Sequence, residues 1–191
     1  MKNINISASN GLDIESPSLL HEYNMRYAEH AAETVLRLGT LAMQFAKVER
    51  VPRYDETTRE NDAEHSFMLS LVATEIAEEY FPELDSGLVS KFGTVHDLVE
   101  LETGDVATFN ISEEDLRAKH DSEHQALERL LEILPSRTGR LLRTYEEQIL
   151  PEARFVRFID KLLPLIVDIV GPGKKVMNED YNVHTIQDLL A

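Results

Sequence analysis

The sequence contains no cysteine, which rules out disulfides, thiolate metal sites and a cysteine nucleophile. It is also short of positive charge: 19 Lys and Arg stand against 35 Asp and Glu, giving a formal net charge of −16. Duplex nucleic acid is bound through clustered Lys and Arg, and anionic membranes attract basic segments, so neither partner is expected. A small phosphate ester is not excluded, because a bound cation inverts the field locally. Long apolar runs are missing too. The longest, Leu162 to Val170, is interrupted by Pro164 and Asp168 and is too short to span a bilayer. Met1 to Ser18 is polar and lacks the apolar segment of a secretory signal. A soluble, cytoplasmic protein is expected.

What the sequence has is helix. Its 191 residues suit a single domain over 18–191, preceded by a loosely docked arm over 1–17. Apolar residues at Val35, Leu38, Leu41, Ala42 and Phe45 predict a first helix from about Ser18 to Lys47, with an interruption near His30. Residues 49–60 are polar and read as a loop. Asn61 followed by Glu64 is a capping-box pattern, and it predicts a second helix that runs to Phe81 and is stopped by Pro82. A third opens near Asp85, carries Leu88, Val89, Phe92, Val95 and Val99, and ends at Gly104. Further helices are predicted over Ser112–Leu134, Arg137–Leu150 and Pro151–Val170, the last with Pro151 at its first position and a kink at Pro164. A short final helix is predicted over Asn182–Leu190. The expected class is all-α, an irregular helical bundle.

Several polar groups interrupt these apolar helices. His96 and Asp97 lie in the third helix between Val95 and Leu98, and His65 stands in the first turn of the second beside Phe67, Met68 and Leu71. Asp160 is embedded in Phe155-Val-Arg-Phe-Ile-Asp-Lys-Leu-Leu. Singly, each reads as a capped, hydrogen-bonded or ion-paired helix residue. Buried ionised groups are costly unless paired or bound to metal, however. Two imidazoles and two carboxylates from three helices suit a borderline divalent ion such as Mn, Fe, Co, Ni or Zn, with Mg a further option. Glu100, four residues after His96, is placed for proton transfer, and Asp105 follows the glycine at the helix end.

The order His65, His96-Asp97, Asp160 resembles the HD-domain phosphohydrolase superfamily, and its flanks resemble the bacterial 5′-deoxynucleotidase branch. Those flanks are Glu60-Asn-Asp-Ala-Glu-His-Ser, Val95-His-Asp-Leu-Val-Glu-Leu-Glu-Thr-Gly-Asp-Val and Phe158-Ile-Asp-Lys-Leu. The resemblance covers about residues 33–170. It implies an all-helical HD-domain bundle, homo-oligomers of two or more copies, and a divalent metal held by His65, His96, Asp97 and Asp160. It implies hydrolysis of phosphate esters of nucleosides, often 2′-deoxy, with Glu100 and Asp105 near the attacking or leaving oxygen; the expected reaction is attack of metal-bound water on deoxynucleoside 5′-monophosphates, with Glu100 or Asp105 handling protons. It also implies phosphate and sugar contacts from Arg37 and Leu38, where that branch carries Arg-Trp; the leucine is a departure. Lys119 and Glu123 match residues at the pocket edge.

Two other activities share parts of this pattern. Phage relatives with the same metal set release triphosphate from deoxynucleoside triphosphates, and some HD-like domains are non-catalytic regulatory modules. A third motif, His120-Asp-Ser-Glu-His124, matches the inverted zinc-protease signature H-x-x-E-H. A protease would need a third ligand and a cleft, so a pocket-edge or solvated helix face is the preferred reading.

Overall fold

The structure, a computed structural model, describes residues 17–104 and 113–185. Contacts divide the chain into two units, Met1–Gly39 and Thr40–Ala191. Helix α1 (Pro17–Phe45) supplies the described part of the first unit and runs through His30 without the expected interruption. Of the predicted arm, all but Pro17 lies outside the described residues.

In the second unit the segment read as a loop forms a hairpin, β1 (Glu49–Arg53) and β2 (Arg59–Asn61), paired antiparallel with Glu49 opposite Asn61 and Arg53 opposite Arg59. Its turn is closed by Asp55, whose Oδ1 accepts from the backbone N–H groups of Thr57 and Thr58 at 2.8 Å each. The strands escape a hydrophobic reading because the residues they turn inward are Arg50, Pro52 and Glu60.

Helix α2 (Asp62–Tyr80) opens on the expected capping box. Asn61 Oδ1 accepts from Glu64 N at 3.0 Å, and Glu64 Oε2 accepts from Asn61 N at 3.2 Å. Helix α3 (Ser86–Val95) is capped by Asp85, as expected. It ends earlier than expected. Residues 96–99 form tight turns, with Glu100 N donating to Asp97 O at 2.9 Å, before the short α4 (Glu100–Thr103). His96 and Asp97 therefore sit at a helix break, not inside one helix. Gly104 ends α4 with φ +70°, the conformation its glycine predicts. Helices α5 (Glu113–Ile133), α6 (Ser136–Glu146) and α7 (Pro151–Val170) follow. α6 stops short of the predicted Leu150, and Gln148 takes φ +52° in the turn beyond it. After the Gly171-Pro-Gly break comes α8 (Gly173–Glu179), which periodicity did not reveal. Asn182–Thr185 are not helical, and the rest of the predicted last helix lies outside the described residues.

Two apolar clusters hold these elements. One joins Leu69, Ala73 and Ala77 of α2, Val89 and Phe92 of α3, Tyr145 of α6 and Ala153, Val156, Ile159 and Leu163 of α7. The other gathers Phe45, Val95, Leu98, Val99, Leu127, Leu130, Leu134 and Leu142. The all-α expectation holds, with the hairpin as the one sheet among the described residues. Also among the described residues, no helix is long and apolar enough to cross a membrane.

The crossing of α2 and α3 is unusually close at Gly93, where a Cβ would lie 2.8 Å from Ser70 Cα and 3.0 Å from Ser70 N. Gly93→Ala must push the helices apart, and it is expected to lower unfolding free energy by about 1–3 kcal/mol in urea denaturation. An unchanged midpoint would show that the crossing is not tight.

Candidate metal centre

Each metal-ligand candidate is delivered by a local packing rule. The capping box fixes the first turn of α2, so His65 points into the protein and is fully buried. Val156, Leu163 and Val167 form the buried stripe of α7, and helical spacing puts Asp160 on that stripe. The break after α3 presents His96 and Asp97 together. The four side chains meet: one ligand atom from each of His65, His96, Asp97 and Asp160 lies within 4.8 Å of all the others. His65 Nε2 is 2.9 Å from Asp160 Oδ1, and His96 Nε2 is 2.8 Å from Asp97 Oδ2 and 3.5 Å from Asp160 Oδ1.

The donor set fits a divalent ion. His96 Nδ1 lies 3.0 Å from the Gly93 carbonyl, which can only accept, so Nδ1 carries a proton and Nε2 faces the cluster. That Nε2 is buried and, despite its nearness to Asp97, makes no hydrogen bond of acceptable angle. Glu60 Oε1 stands 3.4 Å behind His65 Nδ1, the carboxylate–imidazole backing that orients a ligating histidine. The Tyr145 ring, 6.1 Å from His96 between centroids and nearly perpendicular to it, forms an apolar wall.

Electrostatics agree. Burial alone would push both imidazoles down, but Asp97 and Asp160 reverse this for His96, pushing it up to about 10. The hydrogen bond to Asp160 and the nearby Glu60 carboxylate raise His65 against the same opposition. Asp97 and Asp160, which burial would raise, are held below the ordinary carboxylate range chiefly by the histidines. The metal-free cluster thus stabilises added positive charge at the point where an ion would bring it.

Three residues of this site were given no role by the sequence, although Glu60 and Asp62 lie in the flank that carries the resemblance. Arg50 of β1 is buried, with Nη1 2.8 Å from Asp97 Oδ2, 3.2 Å from Asp62 Oδ1 and 3.6 Å from Glu100 Oε2, and Nε 3.5 Å from Glu60 Oε2. Glu60 and Asp62 are fully buried. Glu60 belongs to a polar segment with the character of a loop, and Asp62 has the character of an ordinary acidic first-turn residue. Only the fold shows that both face one arginine. Further out, the Glu146 carboxyl on α6 is pushed up to about 7, mainly by burial.

Glu100 is buried beside the cluster, and with Asp62 and Asp97 it forms a further convergent set of carboxylates. Asp105 lies outside the described residues, as does the side chain of Lys119. Glu123 on α5 is half-buried. Arg37 and Leu38 lie on α1 in the first unit; Arg37 is exposed and pairs with Glu33 one turn back at 2.7 Å. In the protease-like motif His124 is exposed, and the side chain of His120 is outside what is described.

A family model of the HD domain matches residues 42–188, and the chain belongs to that family. It is similar to 5′-deoxynucleotidase HDDC2 of Homo sapiens, with 28% identity over 71% of this chain and 67% of the relative. The protein of that name from Xenopus laevis is 30% identical over 69% of each chain. Among solved structures, the fold is similar to a predicted metal-dependent phosphohydrolase from Magnetospirillum magnetotacticum, with TM-score 0.64, 24% identity, and coverage of 82% of this chain and 80% of that one. A conserved hypothetical protein from Pyrococcus furiosus aligns with TM-score 0.52 and 23% identity, covering 66% of this chain and 75% of the other. The expected HD-domain resemblance is met.

The proton held at His96 gives a sign for metal binding. Between the ordinary histidine range near 6.5 and about 10, the metal-free imidazolium must lose its proton to become a ligand. Addition of Co²⁺ or Mn²⁺ at neutral pH is therefore expected to release protons, with affinity rising as pH is raised through this window. Calorimetry in buffers of different ionisation enthalpy checks this; a binding heat independent of buffer would overturn it.

Proposed function

We propose that the protein is a metal-dependent phosphohydrolase that removes phosphate from deoxynucleoside 5′-monophosphates. The observation that carries this reading is the convergence of His65, His96, Asp97 and Asp160, with Arg50 and Glu100 against it. The similarity to proteins named 5′-deoxynucleotidase supports the choice of substrate. Those four residues would hold the metal, and the two imidazoles favour a transition ion such as Co, Mn, Fe, Ni or Zn over Mg. When bound, such an ion supplies Lewis acidity, acidifying water and neutralising phosphoryl charge.

The remaining work falls to side chains. Arg50 cannot deprotonate, and it sits where carboxylates would otherwise repel a phosphate. It orients Asp97 and Glu100 and offsets the charge of the substrate. Arg37 stays assigned to the substrate phosphate, and we assign to Arg50 a second electrostatic part at the metal cluster. Glu100 accepts or returns the proton of the attacking water, with Asp105 as its proposed counterpart at the leaving oxygen. Leu38, Lys119 and Glu123 stay assigned to the sugar and pocket edge. Homo-oligomeric assembly belongs to the same proposal.

A product assay tests the reading. Metal-reconstituted protein is incubated with each dNMP and each dNTP, and phosphate, diphosphate and triphosphate are resolved. Phosphate from monophosphates is expected. Triphosphate from dNTPs would replace the nucleotidase with a triphosphohydrolase, and silence on both sets, with metal bound, would leave a regulatory module.

Within this scheme Asp160→Asn and His96→Ala are expected to lose metal and activity together, which metal analysis of the purified variants reads directly. Full activity in a metal-depleted variant would sink the scheme. Glu100→Ala should lower turnover by about 10²–10⁴-fold while substrate still binds. An unchanged kcat would remove Glu100 from proton transfer.

A further inference from the structure

Arg50 enters the metal cluster from a two-stranded hairpin, an element that is marginal on its own. The inward face of that hairpin is largely charged, so apolar burial does little to fix it. Something else must hold the strand that aims the guanidinium.

That tie runs to the C-terminal end of α8. Arg59 Nη1 donates to the carbonyls of Val51 at 3.0 Å and Arg50 at 3.3 Å, gripping the backbone of Arg50 itself. Its other terminal nitrogen, Nη2, donates to Asp180 Oδ1. Asp180 also accepts from Arg53 Nη2, at 3.2 Å through Oδ1 and 3.0 Å through Oδ2, and Glu179 lies 3.6 Å from the same nitrogen. One carboxylate thus holds two of the hairpin's three arginines, Arg53 and Arg59, one from each strand. Burial would raise the Asp180 carboxyl, but Arg59 and Arg53 keep it below its ordinary value. The α7–α8 turn lies directly beneath, since a Cβ at Gly171 would come within 2.5 Å of the Arg53 carbonyl. A separate bond from Lys175 Nζ to Glu56, 2.7 Å long, joins α8 to the hairpin tip and does not touch Arg50.

We infer that Asp180 is a positioning residue, which fixes Arg59 and through it the backbone of Arg50, so that the Arg50 guanidinium is held against Asp97, Asp62 and Glu100. The inference rests on the phosphohydrolase reading for its consequence in catalysis, but not for the clamp. The metal-ligand candidates stand on helices and on the α3–α4 turn, so release of the hairpin leaves them in place. It displaces Arg50, and a displacement of about 1 Å in such a group can cost 10²-fold in rate.

The test compares Asp180→Ala, Asp180→Asn and Asp180→Glu with Lys175→Ala in the full chain. Three readouts are taken: metal content, inorganic phosphate binding to the Co²⁺-loaded protein by calorimetry, and hydrogen exchange of the amides of 49–61. Kinetics on a dNMP accompany them. Asp180→Ala is expected to keep its metal, to speed exchange across the hairpin, to weaken phosphate binding about tenfold, and to lower kcat/KM by about 10–100-fold. Asp180→Asn should fall between it and the wild type, Asp180→Glu should recover most of the loss, and Lys175→Ala should match the wild type in phosphate affinity. Wild-type exchange and phosphate affinity in Asp180→Ala would overturn the inference. So would loss of metal there, since the residue would then act on the whole fold. If the wild type itself neither binds phosphate nor hydrolyses nucleotides, the functional reading fails, and hairpin exchange still decides the clamp: faster in Asp180→Ala supports it, unchanged refutes it.

Discussion

Four carboxylates, those of Glu60, Asp62, Asp97 and Glu100, gather around a single buried guanidinium, a fifth, Asp160, stands against the two histidines, and the rest of the site depends on how that charge is balanced. Withdrawing an ion from water costs several kcal/mol even after relaxation, and one arginine cannot offset five acids. In the metal-free protein the deficit is eased by the proton on His96, and the surrounding acids raise the basicity of His65 as well. A divalent ion brings comparable positive charge to the same point and adds the coordination that carboxylate and imidazole favour. Protons and metal thus compete for one electrostatic niche, and the acids that make the niche unstable alone make it selective for cations.

The fold divides the labour of building that niche. Helices α2 and α7 and the break after α3 carry the ligand candidates, and those elements share an apolar core through Leu69, Phe92 and Val156. The hairpin brings Arg50 and Glu60, which modulate the ligands from behind. Glu60 links the two sets because it faces both the Arg50 guanidinium and the His65 imidazole. A shift of the hairpin would therefore change the charges that face His65 and Asp97, while leaving those ligand candidates on their own frame.

How much of this was legible in the sequence follows from which interactions leave a local mark. Caps do: Asn61 with Glu64, Asp85, Gly104 and Pro151 each act through neighbours within a turn, and each stands where its pattern predicts. The stripe of α7 likewise placed Asp160 inward. The end of α3 was not legible, because Val95, Leu98 and Val99 keep an apolar helical rhythm through a stretch of tight turns. The hairpin was hidden for the opposite reason. Its buried positions are filled by Arg50 and Glu60, so alternation of apolar and polar residues is absent where burial is greatest. Nor could composition show that Asp62, which resembles any acid in a first helical turn, faces an arginine twelve residues earlier. Long-range charge pairing leaves no periodicity, and this site is made largely of it.

The same charge arrangement sets an order of events for an anionic substrate. The chain as a whole is strongly acidic, and without an ion the cluster presents uncompensated carboxylates to an approaching phosphate. Arg50 alone offers little attraction, since its charge is shared among Asp62, Asp97, Glu100 and Glu60. Once a cation occupies the ligand set, Asp97 and Asp160 are neutralised at source and the arginine's field is no longer cancelled on that side. On the proposed reading, affinity for a phosphate is then conditional on metal. An acidic protein can in this way act on an anion without carrying a basic patch, because its positive field exists only at the centre where the chemistry occurs.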